Sequence, residues 1–172
     1  MIRNITSHDW PAIMAIQAQC YADDTLESLT VMQDKWRFSP NSCLVIDVEN
    51  CIAGYVLAHS WQLHHIPKWD QPLPTAPFFD CLYIHDMAIA QSFRGQGIAQ
   101  QLYGALTQLL SSTAFEQPEK SPLTHQALVA LPSAVHFWQK LGFSQIEHPS
   151  ATLISSLSSY PEHTQYMLKP LN

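Results

Sequence analysis

The chain has 172 residues, of which 47% are hydrophobic, and its formal net charge is −6 with 8 Lys and Arg residues. This length and composition predict a single domain over residues 1–172 that buries its own core. So few basic residues exclude the phosphate-binding footprint of a nucleic-acid-binding protein.

The apolar runs and the cysteines bear on location and metal binding. No apolar run approaches the roughly 20 residues that span a bilayer, and the first ten residues, MIRNITSHDW, lack the apolar segment of a secretory signal. Cys20, Cys43, Cys51 and Cys81 form no C-x-x-C pair, which favours reduced, buried thiols over disulfides or a zinc site. We therefore expect a cytoplasmic protein that binds no metal, no nucleic acid and no membrane.

The first part of the chain predicts a strand, two helices and a β-hairpin. IRNIT is a short strand, after which Ser7 or Asp9 can cap a helix, and a second helix ends before Pro40. The strands CLVIDV and CIAGYVLAHSW flank Glu49-Asn50, and Asn tolerates the left-handed conformation of a tight turn. The apolar residues at helical spacing are Ile13, Ile16 and Cys20 in the first helix and Leu29, Met32 and Trp36 in the second.

The remainder predicts alternating strands and helices. The segment HHIPKWDQPLPTAP, residues 64–77, is rich in proline and predicts a surface loop. Gly142 is placed to end a helix in the left-handed conformation, with Phe143 folding back on its last turn. The other elements are a strand at 78–89, a helix from about Gly97, a strand at 124–131, a Ser-rich loop at 150–163 and a closing strand at 164–171. This order predicts an α/β fold of the α+β type, with a mixed sheet covered by helices.

The stretch HDMAIAQSFRGQGIAQQL contains two of the chain's 5 glycines, Gly95 and Gly97. A strand that runs into a Gly-x-Gly turn and then a helix leaves unpaired backbone N–H groups at the positive end of the helix, which favours an anion. A tight turn without a ligand is the structural alternative. The Walker motif is absent, and a dinucleotide fold, for which Glu116 lies near the required distance, lacks the second strand before that acid.

The segment from Arg94 to Ala99, RGQGIA, resembles the Q/R-x-x-G-x-G/A signature of the GNAT superfamily of acyl-CoA-dependent N-acetyltransferases. The block AVHFWQKLGF, Ala134 to Phe143, resembles the family's helix that ends in Leu-Gly-Phe, and NCIAGYVLA resembles its central strands. The resemblance implies a GNAT-like fold with a mostly antiparallel central sheet and helices on both faces. It also implies direct acetyl transfer from acetyl-CoA to a primary amine in a ternary complex.

The same resemblance implies a cofactor site around this loop. Backbone amides from Gln96 to Ala99 would hold the CoA pyrophosphate, and the edge of the strand would pair with the pantetheine arm. A bulge there would open this strand away from the neighbouring strand at 128–131. The implied cofactor-binding residues are Met87, Ala88, Ile89, Arg94, Gly95, Gln96, Gly97, Ile98, Ala99, Ser133 and Trp138.

Three catalytic functions follow from the chemistry of amine acetylation: a base, an oxyanion donor and a source of a proton for the leaving thiolate. His85 and Asp86 are the candidate bases, and at most one of them faces the acceptor because side chains alternate along a strand. The resemblance implies the backbone N–H near Ala88 as the oxyanion donor. Trp138 stands where the family has a tyrosine, and an indole does not give up its proton. That leaves Ser133, His136, Tyr103 or water as the proton source.

The expected partner is a small-molecule or peptide amine, and the sequence leaves a homodimer open. The net negative charge favours a cationic amine. By resemblance, segment 149–160 and the Pro-rich loop, with Trp61, His64, His65 and Trp69, would line the acceptor site; otherwise they are variable surface. Two functions compete with acetyl transfer: a non-catalytic acyl-CoA-binding regulatory module on the same fold, and a nucleotide-binding α/β domain.

Overall fold

The structure is a computed structural model that describes residues 1–74, 78–111 and 122–171. The end of the predicted Pro-rich loop, residues 75–77, and Glu116 lie outside the described residues. The described strands are β1 (Ile2–Asn4), β2 (Leu44–Val48), β3 (Cys51–Trp61), β4 (Cys81–Ile89), β5 (His125–Ala130), β6 (Ser144–Gln145) and β7 (Gln165–Pro170). The described helices are α1 (Trp10–Cys20), α2 (Leu29–Phe38), α3 (Ile98–Leu110), α4 (Val135–Lys140) and α5 (Ala151–Leu157).

The described strands form one 7-stranded sheet in the order β1-β2-β3-β4-β5-β7-β6. The pairs β1–β2, β2–β3, β5–β7 and β6–β7 are antiparallel, whereas β4 and β5 are parallel. On β3, Tyr55 packs in a core with residues of α1, while a Cβ on its neighbour Gly54 would lie 3.4 Å from Leu102 of α3. Helices therefore cover both faces of this strand, and the predicted mixed, mostly antiparallel sheet is confirmed.

The chain divides into two compact units, and each has its own core. The first unit holds Met1–His59 and the segment that begins at Asp86; its core includes Trp10, Ile13, Met32, Tyr55 and Ala88. The second unit holds Ser60–His85 and the C-terminal segment; its core includes Trp61, Tyr83, Ala127, Leu153 and Tyr166. Among the described residues, no helix has the length and apolar character needed to cross a membrane.

Two turns have the left-handed backbone conformation that the sequence predicts for them. Glu49 and Asn50 both have positive φ, 50° and 63°, as a two-residue hairpin turn requires. At the end of α4, Gly142 has φ 92°, and the N–H of Phe143 donates to the carbonyl of Trp138 at 3.1 Å. This bond and the ring contact of Phe143 with Trp138 complete the predicted C-terminal cap.

The prediction of a Ser-rich loop at 150–163 is wrong, because residues Ala151–Leu157 form α5. The side chain of Ser150 caps the helix by accepting a hydrogen bond from the N–H of Leu153, at 3.2 Å. Leu153 is buried in the core of the second unit, and Leu157 packs against that core. Burial of these two leucines on one side of α5 offsets the poor helix propensity of the serines. The segment has too few apolar residues for the helical spacing to be visible in the sequence.

Two further expectations need correction. Asp9 stands at the N-cap of α1, but its carboxylate makes no cap; it accepts hydrogen bonds from Arg3, which lower the pKa of Asp9 to about 2. The expectation of buried cysteines holds for Cys43 and Cys81, but Cys51 is exposed. Cys51 is the first residue of β3 after the hairpin turn, where the strand meets solvent.

Candidate functional site

The glycine loop between β4 and α3 has the backbone geometry of an anion-binding turn. Gly95 and Gly97 have φ 76° and 75°, in the left-handed region, and Gly97 is the N-cap of α3. A Cβ at either glycine would meet no described atom within 4 Å, so backbone conformation rather than crowding requires glycine here. Within the described chain, no side chain caps α3, so the amides of its first turn can take an anion.

Arg94 brings a positive charge to the start of this loop. Its exposed guanidinium donates from Nε to the carbonyl of Ile89 at 3.4 Å and from Nη2 to Sγ of Cys20 at 3.2 Å. The side chain therefore lies back along the end of β4 and contacts the end of α1. This position keeps the cation beside the glycine loop.

Met87, Ala88 and Ile89 form the end of β4, in the first unit. The parallel register of β4 with β5 in the second unit runs from Cys81↔His125 to Ile84↔Leu128. A Cβ at Gly54 of β3 would lie 2.9 Å from the carbonyl oxygen of Ala88 and 2.6 Å from Cδ1 of Ile89. The absence of a side chain at Gly54 thus lets the backbone of β3 lie close to the end of β4. In the sequence, the only sign of this close approach is a glycine inside a strand pattern.

Asp86 lies between two tyrosine hydroxyls in the first unit. Tyr21, the C-cap residue that follows α1, donates to Oδ1 at 2.5 Å, and Tyr55 of β3 donates to Oδ2 at 2.5 Å. Burial, and then the charge of Asp86, raises the pKa of each tyrosine well above its ordinary value. The phenols therefore stay protonated at neutral pH, and their short, charge-assisted bonds stabilise Asp86 as an anion.

His85, the other candidate base, belongs to the second unit. It is half-buried, and its ring centroid lies 6.1 Å from that of Tyr83. Tyr83 is buried, and burial raises the pKa of its phenol well above the ordinary value. His85 thus lies against a neutral aromatic ring.

Ser133 and Trp138, the other two residues assigned to the cofactor, also belong to the second unit. Ser133 is exposed in the short turn Pro132–Ala134 that precedes α4. Trp138 on α4 is 6% exposed, and its ring packs edge to face against Phe137 and Phe143 at 5.0 and 5.3 Å. The structure therefore places Trp138 in an aromatic cluster.

The two segments that the sequence assigns to the acceptor contact each other within the second unit. The hydroxyl of Tyr160 donates to the carbonyl of Pro67 at 2.9 Å, and its ring packs edge to face on Trp69 at 5.3 Å. Upstream, the N–H of His64 donates to the hydroxyl of Tyr166 at 3.0 Å. The Pro-rich loop is thus held by aromatic residues from the C-terminal part of the chain.

Comparisons with known proteins place this geometry in a family. A sequence model of the acetyltransferase (GNAT) family matches residues 10–143 of the chain. Curated proteins gave no sequence match.

Solved structures with the same fold cover nearly the whole chain. Ard1 from Thermoplasma volcanium has a TM-score of 0.70 at 16% identity, covering 100% of this chain and 97% of that one. The ribosomal-protein-S18-alanine N-acetyltransferase from Escherichia coli has a TM-score of 0.66 at 13% identity, covering 100% and 94%. The GphF GNAT-like decarboxylase in complex with isobutyryl-CoA has a TM-score of 0.72 at 12% identity, covering 100% of both chains.

Proposed function

The chain belongs to the acetyltransferase (GNAT) family, and we propose that it transfers the acetyl group of acetyl-CoA to a primary amine of a small molecule or peptide. In this proposal residues 1–172 act as one N-acetyltransferase domain. The acceptor and acetyl-CoA are bound together, and transfer is direct.

The uncapped N-terminus of α3 is the observation that supports this proposal most. Its first-turn amides follow two glycines in the left-handed conformation, and Arg94 adds a guanidinium beside them. This donor set fits a diphosphate, because backbone N–H groups, the helix dipole and a cation all favour negative charge. We assign Arg94, Gly95, Gln96, Gly97, Ile98 and Ala99 to the pyrophosphate of CoA.

The end of β4 supplies the rest of the cofactor contact in this proposal. Met87, Ala88 and Ile89 offer backbone groups to the pantetheine arm, and the N–H of Ala88 donates to the developing oxyanion. Acetyl-CoA supplies the acetyl group as a thioester. The amine nitrogen attacks the carbonyl carbon, the carbon–sulfur bond breaks, the sulfur leaves as a thiolate, and the amine proton passes to the base.

We assign the base to His85 rather than to Asp86. Both carboxylate oxygens of Asp86 accept a phenol hydrogen at 2.5 Å, and such donors make a carboxylate a weaker base. His85 is the other candidate, and a neutral imidazole nitrogen can accept the amine proton directly. The assignments of Ser133 and Trp138 to the cofactor stay predictions.

The proposal is tested by screening primary amines and peptide N-termini for acetyl-CoA-dependent release of free thiol, with calorimetry of acetyl-CoA binding in parallel. We expect both binding and release with at least one class of amine. Binding without release from any amine would favour an acyl-CoA-binding module, which the aromatic packing of Trp138 supports because that side chain offers no acid. Absence of binding would reject the cofactor assignment.

His85→Gln should lower kcat/KM about a hundredfold, because a glutamine amide cannot accept the amine proton. The measurement is kcat/KM with one amine at a fixed pH. Asp86→Asn is the matched variant and should lose less activity; a hundredfold loss in Asp86→Asn with a small loss in His85→Gln would reverse the assignment.

A further inference from the structure

The last turn of α1 is tied by polar contacts to the segment from Asp86 to Arg94. Three consecutive residues, Gln19, Cys20 and Tyr21, make these contacts, and we call them the α1 clasp. Gln19 accepts from the N–H of Gln91 at 3.3 Å, and its carbonyl accepts from Nε2 of Gln91 at 3.0 Å. The clasp therefore begins at the turn that follows β4.

Cys20 and Tyr21 extend the clasp along β4 itself. Sγ of Cys20 donates to the carbonyl of Ile89 at 3.3 Å and accepts from Arg94 at 3.2 Å. The hydroxyl of Tyr21 donates to Asp86 at 2.5 Å and lies 3.5 Å from the carbonyl of Met87. The clasp thus contacts Met87 and Ile89, the two ends of the strand segment that the proposed function assigns to acetyl-CoA. It also contacts Arg94, beside the glycine loop.

The conformation of the chain explains how three neighbours reach one segment. Consecutive residues inside a helix point about 100° apart, so they cannot all face the same strand. The helix ends at Cys20, and Tyr21 is extended, with φ −123° and ψ 154°. The end of the helix turns Tyr21 towards Asp86, and the buried face of α1, with Ile13 and Ile16, fixes where that end lies.

We propose that the α1 clasp positions the cofactor segment, with Tyr21 acting through Asp86 as its principal positioning residue. The inference rests on the proposed function for its link to acetyl-CoA. Asp86 is then an anchor whose negative charge holds the Tyr21 hydroxyl against β4. Backbone groups of Met87 and Ile89 are presented correctly only while this anchor is in place, since misplacement of a binding group by about 1 Å costs up to a hundredfold.

The test compares Tyr21→Phe with Tyr55→Phe. Each change removes one hydroxyl that donates to Asp86 at 2.5 Å, but only Tyr21 belongs to the clasp. We expect Tyr21→Phe to raise the Kd and KM of acetyl-CoA about tenfold, because Met87 and Ile89 lose the contact that positions them. The KM of the amine and the pH profile of kcat should not change. Tyr55→Phe should lose a similar amount of stability to Tyr21→Phe, but it should change the Kd of acetyl-CoA by less than about threefold.

A second measurement needs no cofactor. Amide hydrogen exchange of the free protein should be faster from Met87 to Gly97 in Tyr21→Phe than in Tyr55→Phe. Cys20→Ser, which keeps a donor to Ile89, should bind acetyl-CoA better than Cys20→Ala. Equal Kd values and equal exchange in the two tyrosine variants would overturn the inference, as would a changed pH profile in Tyr21→Phe. If the two variants differ in hydrogen exchange as expected but the wild-type protein does not bind acetyl-CoA, the clasp is supported and the proposed function is rejected.

Discussion

Gly97→Val should abolish measurable binding of acetyl-CoA, a loss of affinity beyond about a thousandfold, while the protein remains folded. Gly97 has φ 75°, and a β-branched side chain resists that conformation at a cost of about 1–3 kcal/mol. The loop can relieve this strain only by moving the first-turn amides of α3. The valine methyl groups would in addition occupy the side from which a diphosphate approaches. Calorimetry measures the binding, and thermal unfolding shows whether the fold is kept.

Two matched variants separate the causes of this loss. Gly104→Ala changes another glycine whose added Cβ would meet no described atom within 4 Å, but Gly104 lies inside α3, so this variant should bind normally and gain roughly 1 kcal/mol of stability. Gly97→Asn tolerates the left-handed conformation and should keep stability while weakening binding through its side chain alone. Normal acetyl-CoA affinity in a folded Gly97→Val protein would remove the pyrophosphate assignment.

The elements that depend on local chemistry were predictable from the sequence. Glu49-Asn50 specified its hairpin because Asn accepts positive φ, and Gly142-Phe143 specified the end of α4 by the same kind of rule. The glycine loop belongs to this class, since Gly97 is both the N-cap of α3 and a left-handed residue. Each of these features is determined within a few residues, so a single sequence carries enough signal.

The arrangement around Asp86 was not predictable, because its partners are distant in the chain. Tyr21 is separated from Asp86 by 65 positions and Tyr55 by 31, and neither tyrosine lies in a motif. Because Asp86 and His85 are neighbours on one strand, the sequence left two candidate bases. Only the fold shows that one of them, Asp86, accepts two phenol hydrogens, and such donors make a carboxylate a weaker base.

Trp138→Ala should lower the free energy of unfolding by about 3–5 kcal/mol, because it leaves a cavity where a large, buried ring stood. The indole is 6% exposed and makes edge-to-face contacts with Phe137 and Phe143. Chemical denaturation measures this loss. Trp138→Phe retains an aromatic ring and should lose much less stability and only a modest part of kcat. A similar stability for the alanine and phenylalanine variants would show that the ring is not part of the core.

Trp138→Tyr tests whether the protein lacks an acid for the leaving thiolate. A thiol has an ordinary pKa of about 8.5 and a phenol one of about 10, so the thiolate is already a fair leaving group and proton transfer from tyrosine is uphill. We therefore expect kcat to change less than about threefold, since the expected gain in driving force is absent. The control is acetyl-CoA affinity and stability, both of which should stay near the wild-type values. A rise in kcat of one or two orders of magnitude would show that departure of the thiolate limits the native protein. That result would favour the acyl-CoA-binding module over the working acetyltransferase, because the native chain would then lack an acid at position 138.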